Sequence, residues 1–297
     1  MIYKERKGII LAGGMGSRLA PLTNVLSKHL LPVFDKPMVY YPLSTLMLAG
    51  IRDILIITKP EDLALFQLMF SFSHQWGLNI EFVVQEKPDG IASALILAEP
   101  FLDGAPSVLI LGDNIFYSSG LTGVMRKAMS LSVGASIFTK EMASVNQYAV
   151  VELDKNGFPL TIEEKPENPR SNLVVTGLYF YDGTASERAK QLKPSKRGEL
   201  EITDLNQSYL DDQCLSVCLM HRGAIWFDAG NHENLLEASS LIASIQHRLG
   251  VLISSPEEIA FRNGWIELGQ LENLISALGE SSYRTMLSCI LNQERKG

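Results

Sequence analysis

Lys7–Thr23 of this chain reads KGIILAGGMGSRLAPLT. The unbroken apolar run Ile9–Ala12 has the character of a strand buried on both faces, the pattern of a parallel sheet covered by helices. It runs straight into Gly13, Gly14 and Gly16, and Arg18 follows two residues after the last glycine. In open α/β sheets ligands gather beyond the carboxyl ends of strands, where the chain turns back toward a helix. Glycines there let backbone N–H groups approach a ligand with no Cβ in the way, and successive N–H groups form a nest for an anion. Arg18 adds a planar cation able to meet phosphate oxygens with two donors at once. The stretch therefore predicts a parallel α/β sheet with a phosphate-binding loop after its first strand, the loop including Ser17.

The segments downstream keep the same rhythm. MVYYPLSTLMLAG (38–50) reads as a helix closed by Gly50, DILIIT (53–58) as a strand, and EDLALFQLMF (61–70) as a helix. IEFVVQ (80–85) reads as a strand, GIASALILAEPFL (90–102) as a helix and SVLILGDN (107–114) as a strand. Such alternation predicts right-handed βαβ units. The middle changes character: GASIFTKEM, QYAVVELDKNGFPLTIEEKP and NLVVTGLYFYD are strand-rich, with DKNG as a hairpin signal. From 233 onward Leu235, Ala238, Ile242, Ile245 and Leu249 step by three and four, and Leu271, Leu274, Ile275 and Leu278 do the same, which predicts amphipathic helices. The expectation is one α/β body, 1–232, with a strand-rich insertion at about 134–232 and a helical C-terminal region, 233–297.

Composition narrows the function classes. With 46% hydrophobic and 20% charged residues the chain has the makings of a globular protein with a large core. The net charge is -7, and no run of lysines and arginines marks a nucleic-acid track or a membrane patch. Phosphates must then be held locally, by placed cations and backbone N–H groups. No apolar run approaches the roughly 20 residues that span a bilayer. MIYKERKG lacks the apolar core of a signal peptide. Cys214, Cys218 and Cys289 form no even set and no metal-ligand pattern, so reduced, unpaired thiols in a cytoplasmic protein are expected.

The glycine loop fits neither familiar nucleotide fingerprint. G-x-G-x-x-G lacks its third glycine, which argues against a nicotinamide-dependent dehydrogenase, and the P-loop would need G-K-[ST] where Gly16-Ser17-Arg18 stands. Lys28 follows Arg18 ahead of Pro32 and Pro37, and triphosphate chemistry needs several cations on different oxygens.

LAGGMGSRLAPLT followed by SKHLLPVFDKPMVYYPLSTLMLAGI resembles the signature of the sugar-phosphate nucleotidylyltransferases, G-G-x-G-[ST]-R-L and then K-x-x-x-P. The similarity continues through PDGIASA, VLILGDNIFY, IEEKP, VTGLYFYD, LKPSKRGELEITDLN, WFDAGNHENLLEAS and PEEIAFRNGWI, and is greatest to the glucose-1-phosphate thymidylyltransferases. The resemblance implies a Rossmann-like, mostly parallel central sheet with a strand-rich sugar-binding insertion. It implies magnesium-dependent attack of glucose-1-phosphate on the α-phosphorus of dTTP, releasing dTDP-glucose and pyrophosphate with no covalent enzyme intermediate, as a first step toward dTDP-rhamnose or related deoxysugars.

Nucleotidyl transfer leaves the protein mostly positioning and charge neutralisation to perform. Arg18 and the Gly13–Ser17 N–H groups would hold the triphosphate, with Lys28 between the α-phosphate and the leaving oxygens. Asp113 at the end of LILGDN and Asp228 in IWFDAG are implied as the metal ligands. Tyr148, Glu164, Lys165, Gly177 and Arg197 match positions that bind the sugar phosphate. Gln85 would donate to and accept from the thymine edge, with Gly90 offering backbone groups. Uracil makes the same bonds, so leakage to UTP is expected, a methyl discriminating by only about 1–3 kcal/mol.

Four positions depart from the family pattern. Gln147 and Ala149 stand where arginine and glycine are usual, Ser93 replaces a glutamine, and Ala229 replaces a threonine. Each removes a polar contact or adds bulk, which leaves open another hexose-1-phosphate, or a non-catalytic paralogue that binds a nucleotide sugar and regulates a partner. The family's homotetramers carry a second, effector site between subunits in some members, and MHRG (220–223) and EEIAFR (257–262) make Arg222, Glu258 and Arg262 its candidates.

Overall fold

The computed structural model describes residues 4–295. The chain runs through β1 (Lys7–Ala12), the hairpin β2 (Pro32–Val33) and β3 (Lys36–Pro37), α1 (Tyr40–Leu48), β4 (Asp53–Thr58), α2 (Leu63–Met69), β5 (Asn79–Val84), α3 (Ser93–Leu97), α4 (Glu99–Leu102) and β6 (Ser107–Leu111). Then come β7 (Asn114–Tyr117), α5 (Leu121–Met129), β8 (Ala135–Glu141), β9 (Ala149–Leu153), β10 (Pro159–Glu164), β11 (Leu173–Tyr181), α6 (Ala185–Lys190), α7 (Ile202–Asp211), β12 (Leu215–Leu219) and β13 (Ile225–Asp228). Helices α8 (His232–Leu249), α9 (Pro256–Arg262), α10 (Leu268–Ala277) and α11 (Ser282–Glu294) follow.

Strands β5-β4-β1-β6 lie side by side and parallel, with Ile9 opposite both Leu55 and Leu109. The chain therefore winds outward from β1 in one direction and returns to place β6 on its other side. That reversal opens a crevice at the carboxyl ends of β1 and β6. The sheet is Rossmann-like and mostly parallel. The strand-rich middle joins it: β11 runs antiparallel to β6 and to β8, and β12 lies parallel to β8. The hairpin β9–β10 extends from the first half of β11.

Side chains alternate across the strands with period two, and the two faces bury two cores. Ile9, Leu55, Ile57, Leu109 and Tyr179 pack with Ala94 and Leu95 of α3 and Leu205 of α7. Ile10, Ile54, Ile56, Ile110 and Phe180 pack with Leu43, Leu46 and Met47 of α1. The C-terminal helices share this second core through Ile259, Leu271, Ile275, Leu287 and Leu291. A buried polar cluster also ties them down. Lys36, only 4% exposed, ion-pairs with Asp35 and lies 5.2 and 5.3 Å from the ring centres of Tyr41 and Tyr283. Gln246 of α8 donates to Asp35 (2.8 Å) and accepts from the backbone N–H of Ile253 (2.9 Å).

Three expectations change in detail. The helix read over 90–102 is two, α3 and α4, because Pro100 has no N–H to continue the ladder. The strand read over 107–114 stops at Leu111. Gly112 and Asp113 turn the chain, and Asn114 begins β7, which pairs only with β13. On α8, Ala238 and Ile242 are buried as expected, but Leu249 is 64% exposed; the buried residue of that turn is the polar Gln246.

Candidate active site

The glycine loop leaves β1 and folds around Lys28. Gly16 has φ +66°, and a methyl on it would stand 3.0 Å from Thr23 Cγ2 and 3.3 Å from Lys28 Cβ, so both conformation and space favour glycine. A methyl on Gly14 would come 3.5 Å from Lys28 Cε and Nζ. Lys28 opens a single 3₁₀ turn, Lys28–Leu30, and its ammonium pairs with the Asp113 carboxylate. Another such turn, Ser17–Leu19, carries Arg18 outward, where Nη2 lies 3.7 Å from Asp228 Oδ2.

The carboxylates arrive from different directions. Asp113 follows β6, in a turn whose Gly112 N–H donates to the Leu11 carbonyl (2.9 Å). β13 runs antiparallel to β7 with Asp228 opposite Asn114, and the Ala229 N–H donates to the Asp113 carbonyl (2.9 Å). Gly230 marks where the charges converge. A methyl there would meet Arg18 Nη2 at 2.7 Å, Asp228 Oδ1 at 2.8 Å and Asp113 Oδ2 at 3.3 Å. Burial works against ionisation of Asp113, but the Lys28 ammonium and the Asn114 amide outweigh it and hold the carboxyl well below the usual carboxylate range. Burial and the neighbouring Asp113 charge push Asp228 the other way, upward, against Arg18 and Lys28. Beneath them His29 is fully buried beside Lys28, which lowers its imidazole to about 3 and keeps it neutral.

Asn114, 2% exposed, is the joint between these pieces. Its Nδ2 donates to Asp113 Oδ1 (3.0 Å), and its Oδ1 accepts from Trp226 Nε1 (2.7 Å) and from the Gly177 N–H (3.0 Å). Gly177 sits in an irregularity of β11 where the pairing with β8 shifts between Val175 and Tyr179. A methyl on Gly177 would meet Asn114 Oδ1 at 2.6 Å, so glycine here makes room for the joint.

The third wall comes from the β9–β10 hairpin and the segment before α7. The Tyr148 ring stands edge-on to Trp226, centres 5.2 Å apart. Glu164 accepts from Thr203 Oγ1 (2.6 Å) and lies 3.1 Å from Lys165 Nζ. Lys165 has φ +44°, a left-handed conformation uncommon outside glycine. Arg197 is held by Glu201 through Nη2 at 2.8 and 2.9 Å. At the far end Gln85, 8% exposed, donates through Nε2 to Ser93 Oγ (2.9 Å), and Ser93 donates to the Gly90 carbonyl (2.6 Å).

These walls enclose one cleft of about 400 Å³, within the range of small-molecule sites. Gly13, Gly14, Arg18, Gln85, Gly90, Asp113, Tyr148, Glu164, Lys165, Gly177, Arg197 and Asp228 all line it, and Lys28 reaches it from below through Asp113. Gly16 and Ser17 shape the loop from outside the lining. Gln147 and Ala149 face the cleft. Ala229 does not; it is fully buried in the core under α8. The expected effector residues stand apart from the cleft. Arg262 pairs with Glu258 (2.7 Å) and Glu294 (3.5 Å), while Arg222 contributes its carbonyl to Lys140 (3.2 Å). No hydrogen bond or ion pair among the described residues joins Arg222 to the other two. A larger hollow, about 940 Å³, opens at the amino ends of the strands beside Arg6, Arg52 and Asp53, away from these charges.

Sequence reasoning passed over Asn114, Trp226, Thr203 and Glu201. Asn114 had a local signal, its place beside Asp113 at a strand end. Glu201 had one too, its place four residues after Arg197; Trp226 and Thr203 had none, since their partners are distant in the chain.

The nucleotidyl transferase family model matches residues 7–245, most of the chain and every wall of the cleft. The chain belongs to the nucleotidyl transferase family. Curated relatives in this family include the glucose-1-phosphate thymidylyltransferase of Xanthomonas campestris, 53% identical across 96% of this chain and 97% of that protein. The Neisseria meningitidis and Mycobacterium tuberculosis enzymes of the same name are 49% and 45% identical, each across 97% of this chain and 100% and 99% of theirs. Among solved structures of the family, a Bacillus anthracis protein assigned as a glucose-1-phosphate thymidylyltransferase and crystallised with sucrose superposes with a TM-score of 0.74. It is 41% identical and covers 80% of this chain and 94% of that one. A UDP-glucose pyrophosphorylase bound to UDP-glucose shares the fold, with a TM-score of 0.69 at 24% identity over 81% of this chain and 99% of that one.

Asp113 and Asp228 offer only hard oxygen donors, and among the described residues no group of three or more His, Cys, Asp and Glu forms a closed metal cage. That donor set fits a cation that keeps water and takes ligands from substrate phosphates, as magnesium does. Burial first, and then the Asp113 charge, raise the Asp228 carboxyl, and a bound cation would favour its ionised form.

Proposed function

We propose that this chain transfers a thymidylyl group from dTTP to glucose-1-phosphate. A phosphate oxygen of the sugar phosphate attacks the α-phosphorus, the bond to the bridging oxygen breaks, and pyrophosphate leaves with dTDP-glucose as product. The observation that carries the reading is the order of charges along one cleft: Arg18 and Lys28 beside Asp113 and Asp228, with Lys165 and Arg197 on the facing wall. The names of relatives at 45–53% identity support the same substrates.

In this reading the glycine loop and Arg18 bind the triphosphate, and Lys28 neutralises charge at the α-phosphate and the departing oxygens. Magnesium, held by Asp113 and Asp228, supplies Lewis-acid stabilisation of the phosphate oxygens when bound. Asn114 aims Asp113. Lys165 and Arg197 take the sugar phosphate, Glu164 accepts from sugar hydroxyls, and Gln85 reads the base. Catalysis comes from holding two mutually repelling anions in line in a preorganised field.

The proposal extends to a cytoplasmic homotetramer whose Arg222, Glu258 and Arg262 contribute to an effector site. All three cysteines are free, as a reducing compartment requires, and among the described residues no helix is long and apolar enough to cross a membrane. The test is pyrophosphate release by the purified chain with magnesium across dTTP, UTP and dCTP and a panel of hexose-1-phosphates. Fastest release with dTTP and glucose-1-phosphate is expected. Faster release with another sugar phosphate would overturn the sugar half and point to Gln147 and Ala149, which line the cleft. Sedimentation velocity checks the tetramer.

A further inference from the structure

The base end of the cleft holds a short chain of hydrogen bonds whose direction is forced. The Gly90 carbonyl can only accept. Ser93 Oγ lies 2.6 Å from it, so the single hydroxyl proton of Ser93 is committed there. The Gln85 amide approaches the same Oγ at 2.9 Å. An oxygen whose proton is engaged can only accept from a further partner, so the facing atom is Nε2. Oε1 is thereby turned away from Ser93 and over Gly13, where a methyl would meet it at 2.6 Å. Oε1 accepts no hydrogen bond from the described residues.

The anchor itself is fixed. Gly90 has φ +100°, and any Cβ on it would meet the Leu200 backbone nitrogen at 2.6 Å. Leu200 in turn donates to the Asp89 carbonyl (2.7 Å) and accepts from the Ala92 N–H (3.1 Å). These bonds on either side hold the turn that presents the Gly90 carbonyl to Ser93. Gln85 was expected to donate and accept at the base edge; Ser93 engages one of its two Nε2 N–H donors and leaves Oε1 free to accept.

Resting on the thymidylyl-transfer reading of the cleft, we propose that Ser93 sets base selectivity by locking the Gln85 amide with its oxygen toward the nucleotide. The locked amide accepts from a ring imino N–H and rejects a base with a lone pair at that position. Thymine and uracil carry N3–H; cytosine carries a lone pair at N3, which would face Oε1 lone pair to lone pair. Without Ser93 the terminal amide torsion, which has two nearly equivalent orientations, is free to present Nε2 to cytosine. Ser93 touches no reacting atom and is a positioning residue. It stands where the family pattern has glutamine, so this lock belongs to the chain's own departure from that pattern.

The test is equilibrium binding of dTTP and dCTP to the full-length wild type, Ser93→Ala and Ser93→Thr, by calorimetry without sugar phosphate, beside turnover with glucose-1-phosphate. Wild type is expected to bind dTTP at least ~100-fold tighter than dCTP, the scale of rejection when a buried polar group is left facing the wrong partner. Ser93→Ala is expected to cut that ratio about tenfold or more, the scale of one hydrogen-bond contribution, and Ser93→Thr to keep it. A Ser93→Ala ratio equal to wild type, or a wild type that does not prefer dTTP, would overturn the lock. A wild type that keeps the preference but releases no pyrophosphate would support the lock and overturn the transfer reading instead.

Discussion

Replacing Asn114 by alanine tests the joint on which the cleft is built. The substitution strips the acceptor from the buried Gly177 N–H and from Trp226 Nε1–H, and removes the donor to Asp113. A buried donor left without a partner costs about 1–3 kcal/mol, and a hydrogen bond to a charged group contributes about 1.5–3 kcal/mol. Trp226 is only half-buried, so water recovers part of its share. The expected loss is about 3–5 kcal/mol, a large fraction of the roughly 5–15 kcal/mol that stabilises a folded protein. For a chain of this size that lowers Tm by about 5–8 °C. Trp226→Phe, which removes one donor and keeps the ring, should cost about 1 kcal/mol. In the double variant the indole donor has already lost its acceptor, so the losses should fall short of additive by a similar amount. Asp113 also loses the amide that aims it, and loss of such a supporting partner costs about 10–100-fold in metal affinity or activity. Differential scanning calorimetry and magnesium titration of pyrophosphate release read the two effects. A Tm within about 2 °C of wild type, or strict additivity with Trp226→Phe, would refute the reasoning.

Lys28→Gln removes the ammonium paired with Asp113 and should lower kcat by about 10²–10³-fold, the usual loss for one preorganised electrostatic partner; a loss under tenfold in a folded variant would remove Lys28 from the chemistry. Lys36→Met leaves Asp35 buried without its cation. Breaking such a pair costs about 3–5 kcal/mol, so thermal unfolding should shift down while KM for both substrates holds; an unchanged Tm would contradict the structural role. Burial raises the Cys218 thiol to about 11, whereas Cys289 is exposed. Only the thiolate reacts, so iodoacetamide at pH 8 should label Cys289 first. Labelling of Cys218 should speed up about tenfold per pH unit toward its raised pKa; equal rates at pH 8, by mass spectrometry, would count against that burial.

The local code of this protein lay open in its sequence. The apolar runs of β1, β4 and β6 announced a parallel sheet because a strand buried on both faces has no polar face to display. The Gly13–Gly16 run announced a tight turn after β1, and Gly16 has the positive φ that favours glycine; the anion the loop was read to hold is part of the proposed function. The hairpin at DKNG and the C-terminal helices were equally legible, since period and turn chemistry act over a few residues. Tertiary structure alone decided the rest. Asp113 and Asp228 meet because β13 pairs with β7 in one register; a slip of one residue would turn the Asp228 side chain to the other face. Asn114 became a joint, and the Gln85 amide took a fixed orientation, only when Trp226, Gly177 and Ser93 arrived around them. A side chain's identity lists the bonds it can make, but which of them remain for a ligand depends on what the fold has already engaged.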